Sequence, residues 1–324
     1  MTNGPRSPHP RTPHRGTPET RPLAGYRYLD PTIPLALRTP FDVDSYVRRA
    51  PGPHTLDTSS LADQGPLSAA DRQVLQMLHR WEASALAESR TMLAGPTGRE
   101  PRITAFLATW HVERLWQARA LRDLLMSRPA PVLPPQHTPR TVRRKLRRIQ
   151  VDHITPALSS LGTVLIGEPI VAGHMARLAI QESALEAAVR ILGERTHGET
   201  RRVLTHVADR HVDAVDFFSQ EARARIRRSR REAVTARVVP SLQSPFAVGG
   251  ILDPVLPGAL RTLASGPRER ARLRRGRDEV LGLLPGPRLR DPVLGSLLDV
   301  SPSPGATHRA SPAPHSTIGG PLGL

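Results

Sequence analysis

The sequence predicts an all-α protein, with a bundle of four long helices, additional helices on the C-terminal side and disordered termini. Apolar residues recur at intervals of three and four along four long segments between residues 68 and 240, which is the period of a helix with one buried face. Each segment is bounded by Pro or Gly, which are common at helix ends. Many of the 34 Pro and 24 Gly lie towards the ends of the chain, which is typical of disorder.

The four long helices can be placed from their end signals. The first follows Ser68, an N-cap residue type, and runs for about 26 residues to Gly95-Pro96. The second is expected from about residue 103 to 127, and the third from Pro169 to Gly193. The fourth begins after Gly198 and extends to at least residue 226. Four long helices joined by loops favour a bundle.

Around this bundle, composition divides the chain further. Residues 1–25 form a disordered Pro/Arg-rich tail, and 26–67 an extended arm with little regular structure. Residues 68–240 are the helical bundle, 241–300 a C-terminal helical extension, and 301–324 a second disordered tail. The two tails contain too few apolar side chains to offset the entropy of ordering.

Charge and cysteine content exclude several classes of function. The chain has 46 Lys+Arg against 29 Asp+Glu, a formal net charge of +17, and no cysteine. Without cysteine there is no disulfide scaffold, no thiol catalysis and no iron–sulfur cluster, so a metal would need His and carboxylate ligands. The most apolar stretch, 164–180, is interrupted by Glu168 and Arg177 and is too short and polar to span a membrane. With no apolar secretion signal at the start, we predict a cytoplasmic protein.

Arginine is concentrated in three runs, 140–148, 223–231 and 268–277, the first of which is expected to form a short basic helix over 140–149. Such runs can neutralise phosphates or an acidic protein surface. They contain no aromatic residue, which disfavours binding of single-stranded nucleic acid by base stacking. The alternative interpretation is a set of solvated helix faces, since Lys145 is the only lysine and arginine-rich composition follows GC-rich coding.

Each long helix carries one ionisable residue near its midpoint, on or close to its apolar face. Glu82 lies between Leu78 and Ala85 in the first helix, and Glu182 lies between Leu178 and Leu185 in the third. In the second helix Glu113 follows Trp110 by three residues, and His211 occupies the central apolar position of the fourth. An ionised group in a bundle interior is costly unless a cation, a metal or strong hydrogen-bond donors meet it.

If the four midpoints lie at one height, Glu82, Glu113, Glu182 and His211 converge on a site suited to a hard metal ion. Each residue also has a structural alternative. Glu82 could lie at a solvated edge, Glu113 could pair with the adjacent Arg114 at the rim, and His211 could be a hydrogen-bonded core residue. Glu182 is the hardest to explain as a surface residue, because its flanking apolar positions are so regular.

Over about residues 72–226 the sequence resembles the soluble acyl-carrier-protein desaturases of the ferritin-like superfamily. In the third helix, residues 181–184 (QESA) are similar to the Gln-Glu-x-Ala of that family. In the fourth, residues 208–211 (ADRH) are similar to a Glu-x-x-His motif that ends in Arg-His. In the second, Trp110 precedes Glu113 as a Trp precedes the Glu-x-x-His pair of the family.

The resemblance implies a Glu from each of the first and third helices and a Glu-x-x-His from each of the other two. Glu182 and His211 match these positions, whereas Glu82 and Glu113 match after a shift of a residue or two. The second-helix His position holds Trp116 or Gln117, and the fourth-helix Glu position holds Ala208. The full di-iron site is therefore incomplete, and the expected site is a single metal ion held by Glu82, Glu113, Glu182 and His211.

What the resemblance implies for function follows from this incomplete site. The first hypothesis is an iron-dependent oxidoreductase, with manganese as the alternative metal, acting on an acyl chain or other apolar substrate, or a descendant that has lost the chemistry. The resemblance also implies docking of an acidic carrier protein on a basic surface, and a homodimer. The competing hypothesis is a non-catalytic scaffold or binding protein whose Arg-rich surfaces bind nucleic acid or an acidic protein.

Overall fold

In a computed structural model of the 324-residue chain, the described residues are 37–127, 167–242, 244–248, 251–252 and 255–284. The predicted tails at 1–25 and 301–324 and the predicted basic helix at 140–149 lie outside these ranges. The chain divides into two units, Met1–Arg38 and Thr39–Leu324. All helices and strands given below belong to the second unit.

Helices dominate the described residues, which confirms the all-α class, and no helix there is both long and apolar enough to cross a membrane. The elements are α1 (Val43–Arg49), α2 (Thr58–Ala62), α3 (Ala69–Ala83), α4 (Ala85–Leu93), a 3-10 turn (Pro96–Arg99), α5 (Pro101–Met126), α6 (Ile170–Arg195), α7 (Gly198–Arg228), α8 (Arg230–Leu242), β1 (Ala247–Val248), β2 (Ile251–Leu252), α9 (Leu256–Leu263) and α10 (Pro267–Gly282). The two short strands pair antiparallel, with Ala247 opposite Leu252.

The first predicted long helix is divided into α3 and α4 at Ser84. Its start agrees with the prediction, because Ser68 Oγ accepts a hydrogen bond from the Asp71 N–H at 3.0 Å. At the break, the hydroxyl of Ser84 donates to the carbonyl of Trp81 at 2.7 Å. Side-chain bonding of serine to the preceding turn competes with the helical pattern and bends helices, which the apolar spacing alone did not reveal.

The predicted extended arm contains two short helices instead. Asp42 accepts a hydrogen bond from the Ser45 N–H and so caps α1, and Asp57 accepts from two backbone N–H groups and caps α2. The backbone N–H of Asp57 donates to Glu199 Oε1 at 2.9 Å, and Arg210 on α7 donates to the carbonyl of Gly52 at 2.7 Å. The arm is thus anchored on α7 by hydrogen bonds as well as by apolar contacts.

Helix α6 is the centre of the fold. From Ile170 to Gly193 every residue is buried except Glu186 and Arg190, which are half-buried. Burial on all sides places α6 in the interior, so its polar side chains need partners inside the protein. Helices α7, α8 and α10 all pack on α6, and a Cβ added to Gly173 would lie 2.5 Å from Val239 Cγ2. Glycine at this point therefore allows the close approach of α8.

Four helices close a ring of pairwise contacts: α3 packs on α5, α5 on α7, α7 on α6, and α6 on α3. The apolar residues of this ring form two separate clusters. One contains Leu78, Leu121 and Leu185, and the other contains Phe106, Leu178 and Phe218. Along α5, α6 and α7 the change from one cluster to the other falls at a group of polar residues, and on the first long helix it falls between Trp81 of α3 and Ala85 of α4, at Glu82. A polar layer therefore crosses the interior.

Candidate functional site: a buried charge cluster

The polar layer contains four charged side chains, one from each helix of the ring. They are Glu82 on α3, Arg114 on α5, Glu182 on α6 and His211 on α7, and none is more than 1% exposed. We refer to these four residues as the central charge cluster. Their full burial means that each charge must be compensated inside the protein.

Arg114 lies between the two carboxylates. Its Nε contacts Glu82 Oε2, and one terminal guanidinium nitrogen contacts Glu182 Oε1. The other terminal nitrogen donates to the carbonyl of Trp81 at 2.7 Å, and the guanidinium lies 5.2 Å from the centre of the Trp110 ring. Such a rigid, multi-donor cation suits the simultaneous binding of two carboxylates.

His211 completes the cluster from the opposite side. Its Nδ1 lies 2.7 Å from Glu182 Oε2, and its Nε2 lies 2.8 Å from Glu82 Oε1. Each carboxylate therefore places one oxygen on Arg114 and the other on His211. All four carboxylate oxygens and both imidazole nitrogens are engaged within one closed cycle.

The electrostatics of the cycle favour a protonated His211 imidazole, which together with the Arg114 guanidinium faces two carboxylates. Burial lowers the pKa of His211, but the charges of Glu82 and Glu182 and their hydrogen bonds outweigh burial and raise that pKa to about 9. Burial raises the pKa of Glu182, but Arg114 and His211 outweigh it and hold the pKa below its ordinary value. At neutral pH the two anions and two cations of the cluster cancel.

Glu113 is buried but points to a different partner. Its Oε2 accepts a hydrogen bond from the Tyr46 hydroxyl at 2.5 Å, and burial raises the pKa of this carboxyl. Within the described ranges it makes no hydrogen bond or ion pair with the central charge cluster. The sequence analysis placed Glu113 in the site because it follows Trp110 by three residues.

The residue that sequence analysis missed is Arg114, which was weighed only as a rim partner of Glu113. A signal for it was present: Trp110, Arg114, Gln117 and Leu121 follow each other at spacings of four, three and four. All four are buried, so this is the inward stripe of α5. Position 114, and not position 113, continues that stripe.

Three of the four predicted metal ligands, Glu82, Glu182 and His211, therefore meet. They meet through hydrogen bonds to one another, with Arg114 closing the cycle. In the part of the chain that the structure describes, no group of three or more His, Asp or Glu has the arrangement of a metal-binding site.

A second buried polar group lies one residue along α6 from the central charge cluster. Gln181 donates from Nε2 to both oxygens of Glu88, at 3.1 and 3.2 Å. Arg177 approaches the same carboxylate at 3.5 Å. Gln181 thus connects α6 directly to Glu88 on α4. The adjacent Glu182 connects α6 to Glu82 on α3 through Arg114 and His211.

Three other acidic residues of α7 lie towards solvent. Asp209 and Asp216 are exposed, and Asp213 is half-buried. Asp209 pairs with Arg190 at 3.1 Å on the surface.

The chain was compared with protein-family models, with curated proteins and with solved structures, and none of these comparisons gives a match.

Proposed function

We propose that this chain is a ferritin-like bundle whose centre holds a guanidinium cation in place of a metal, and that it acts as a non-catalytic scaffold or binding protein. The observation that supports this most directly is the position of Arg114, which makes ion pairs with both Glu82 and Glu182. A cation that belongs to the chain itself thus neutralises the carboxylates that a metal would use.

The helix register supports the same reading. If Gln117 takes the His position of the second-helix Glu-x-x-His motif, the Glu position three residues earlier is Arg114. In the fourth helix the corresponding pair is Ala208 and His211. Relative to the desaturase pattern, one bridging carboxylate is replaced by a cation and another by a methyl group.

The donor set also fits a metal poorly for reasons of protonation. A histidine that binds a metal must be a neutral imidazole with a free nitrogen lone pair. His211 has a pKa raised to about 9, so it is mainly protonated at neutral pH, and both its nitrogens face carboxylate oxygens. Binding of a divalent cation would require loss of this proton and expulsion of the Arg114 guanidinium.

For the binding role, the relevant residues are the exposed arginines on α7 and on α10, including Arg223, Arg227, Arg268 and Arg275. The segment 223–238 contains seven arginines, one glutamate and no aromatic residue. Arginine without aromatic residues favours an acidic protein surface over stacked bases. Electrostatic docking of this kind weakens steeply as salt concentration rises.

The experiment is to convert Arg114 into a ligand. We expect Mn²⁺ or Co²⁺ to leave the melting temperature of the natural protein unchanged, and to raise that of an Arg114→Glu variant, in which three carboxylates surround His211. Arg122→Glu, on the exposed side of α5, is the matched control and should not respond. Arg114→Ala serves in addition if Arg114→Glu does not fold without metal. A metal response of the natural protein equal to that of Arg114→Glu would contradict the proposal.

The competing proposal is a metal-dependent oxidoreductase that uses iron or manganese, and it is favoured by the meeting of Glu82, Glu182 and His211. Elemental analysis of the purified protein separates the two. Near-stoichiometric iron or manganese that disappears in Glu182→Ala supports the enzyme. Metal-free protein, with binding to an acidic protein that is lost in high salt, supports the scaffold.

A further inference from the structure

A groove on the outer side of α8 combines apolar walls with arginine at one end. It is lined by Pro169, which directly precedes α6, and by residues of α8, and its volume is about 640 Å³. The lining residues on α8 are Arg230, Arg231, Val234, Thr235, Val238 and Val239. The volume lies within the range of roughly 300–1,000 Å³ that is usual for small-molecule sites.

The apolar part of the groove is uncovered. Val234 and Val238 are one helical turn apart and stay 53% and 37% exposed, whereas Thr235 and Val239 beneath them are buried. Exposed valines at this spacing present one continuous apolar strip along α8. Such a strip next to a concave surface favours an apolar ligand group.

The arginines at the end of the groove are free to bind an anion. Arg228 pairs with Glu232, and the buried Arg225 pairs with Glu221 and Glu100. Within the described ranges, Arg230 and Arg231 are exposed and take part in no ion pair. Two adjacent guanidinium groups without a carboxylate partner are suited to bidentate binding of a carboxylate.

From these two features we infer that the α8 groove binds a single-chain amphiphilic carboxylate, such as a fatty acid. The carboxylate is held by Arg230 and Arg231, and the alkyl chain lies along Val234, Val238 and Pro169. A nucleic acid would engage the arginines but leave the valines in water. A neutral apolar molecule would fill the groove but leave the arginines without a counter-charge.

One carboxylate of the chain itself adjoins the groove lining in sequence. Glu168 is half-buried beside Pro169. The hydrogen bond to Glu232 raises the pKa of Arg228, and the charge of Glu168 adds to this. Glu168 therefore acts at the arginine end of the groove, where the two positive charges of Arg230 and Arg231 exceed its single negative charge.

The test uses the full-length protein and sodium dodecanoate below its micellar concentration, titrated by calorimetry. We expect saturable binding to one site. Arg230→Gln/Arg231→Gln should weaken it by about tenfold or more, since a hydrogen bond to a charged group contributes roughly 1.5–3 kcal/mol and 1.4 kcal/mol corresponds to tenfold. Arg223→Gln/Arg227→Gln removes the same charge from exposed positions on α7 and should change the affinity less than about twofold.

Three further measurements decide the role of each feature. Butanoate, which has the charge without the long chain, and 1-dodecanol, which has the chain without the charge, should both bind at least about tenfold more weakly. Val234→Ser/Val238→Ser, at exposed positions, should weaken dodecanoate binding without lowering the melting temperature. The inference is overturned if the α7 pair of substitutions weakens binding as much as the α8 pair. It is also overturned if a short DNA duplex displaces dodecanoate, or if no saturable site is found.

This inference shares Arg230 and Arg231 with the arginine-rich segment 223–238 of the proposed binding surface. It does not depend on the charge cluster, because the metal response of Arg114 variants concerns the interior while dodecanoate binding concerns α8 and residue 169. Failure of the metal experiment therefore leaves the dodecanoate experiment unaffected, and the reverse.

Discussion

Replacement of Arg114 by methionine tests whether the central charge cluster holds the fold together. The Arg114→Met variant keeps a long apolar side chain but removes the guanidinium that contacts Glu82 and Glu182. His211 then remains the only cation of the cluster, facing two fully buried carboxylates. The carbonyl of Trp81 also loses the guanidinium as one of its donors, while the Ser84 hydroxyl remains.

The expected cost is large relative to the stability of a typical domain. Removal of one partner from a buried ion pair destabilises a protein by about 3–5 kcal/mol, against a total of roughly 5–15 kcal/mol. Each kcal/mol lowers the melting temperature of a domain of 150–250 residues by about 2–4 °C. We therefore expect a decrease of about 6–20 °C at pH 7.

Thermal and urea unfolding at pH 7 and pH 5 provide the assay. The difference in free energy of unfolding between the natural protein and Arg114→Met should be smaller at pH 5. Without Arg114, one of the two carboxyls has a raised folded-state pKa and takes up a proton as the pH falls. Arg122→Met is the control: its side chain is 55% exposed and pairs with Asp123 at 3.1 Å, and the expected change is below about 1 kcal/mol. The reasoning fails if Arg114→Met lowers the free energy of unfolding no more than Arg122→Met does, or if the loss is the same at both pH values.

Three other outcomes follow from the same structure. Because the folded protein holds the His211 proton up to about pH 9, while the ordinary pKa is 6.5, the free energy of unfolding should fall as pH rises from 6.5 to 9. His211→Asn should flatten this part of the pH profile, and an unchanged slope would contradict the assignment. Gly173→Ala should lower the free energy of unfolding by about 1–3 kcal/mol, because the added methyl group would overpack against Val239. Gly282→Ala, with nothing within 4 Å of the added Cβ, should not lower the melting temperature. Tyr46→Phe removes the donor to the buried Glu113 carboxylate and should cost about 1–3 kcal/mol in urea unfolding; no loss at pH 7 would mean that Glu113 is already compensated elsewhere.

The long helices were predictable because their signals are local. Ser68 caps α3 as expected, and α5, α6 and α7 begin and end within a few residues of the Pro and Gly boundaries read from the sequence. The break at Ser84 was not predictable from apolar spacing, since it depends on a side-chain hydrogen bond to Trp81. The short helices α1 and α2 were missed because their Asp caps stand among prolines, which suggested an extended arm.

For the site, the sequence identified three of the four clustered residues, because charged side chains interrupt regular apolar stripes at 82, 182 and 211. It assigned Glu113 in place of Arg114, since a carboxylate was expected as the fourth group. A cation at position 114 solves the same problem of charge compensation without a metal. Which of two adjacent residues faces inward depends on the rotation of α5, and that is set by tertiary packing of Trp110 and Gln117.

The polar layer between the two apolar clusters has a consequence for how the ring assembles. Leucine, alanine and valine surfaces slide past one another with little penalty, so a helix displaced by one turn, about 5.4 Å, could still bury much of its apolar face. The same displacement would separate Glu82, Arg114, Glu182 and His211 and leave bare charges in a dry interior. The cluster thus selects a single axial alignment of four helices, much as one buried asparagine selects the alignment of a coiled coil.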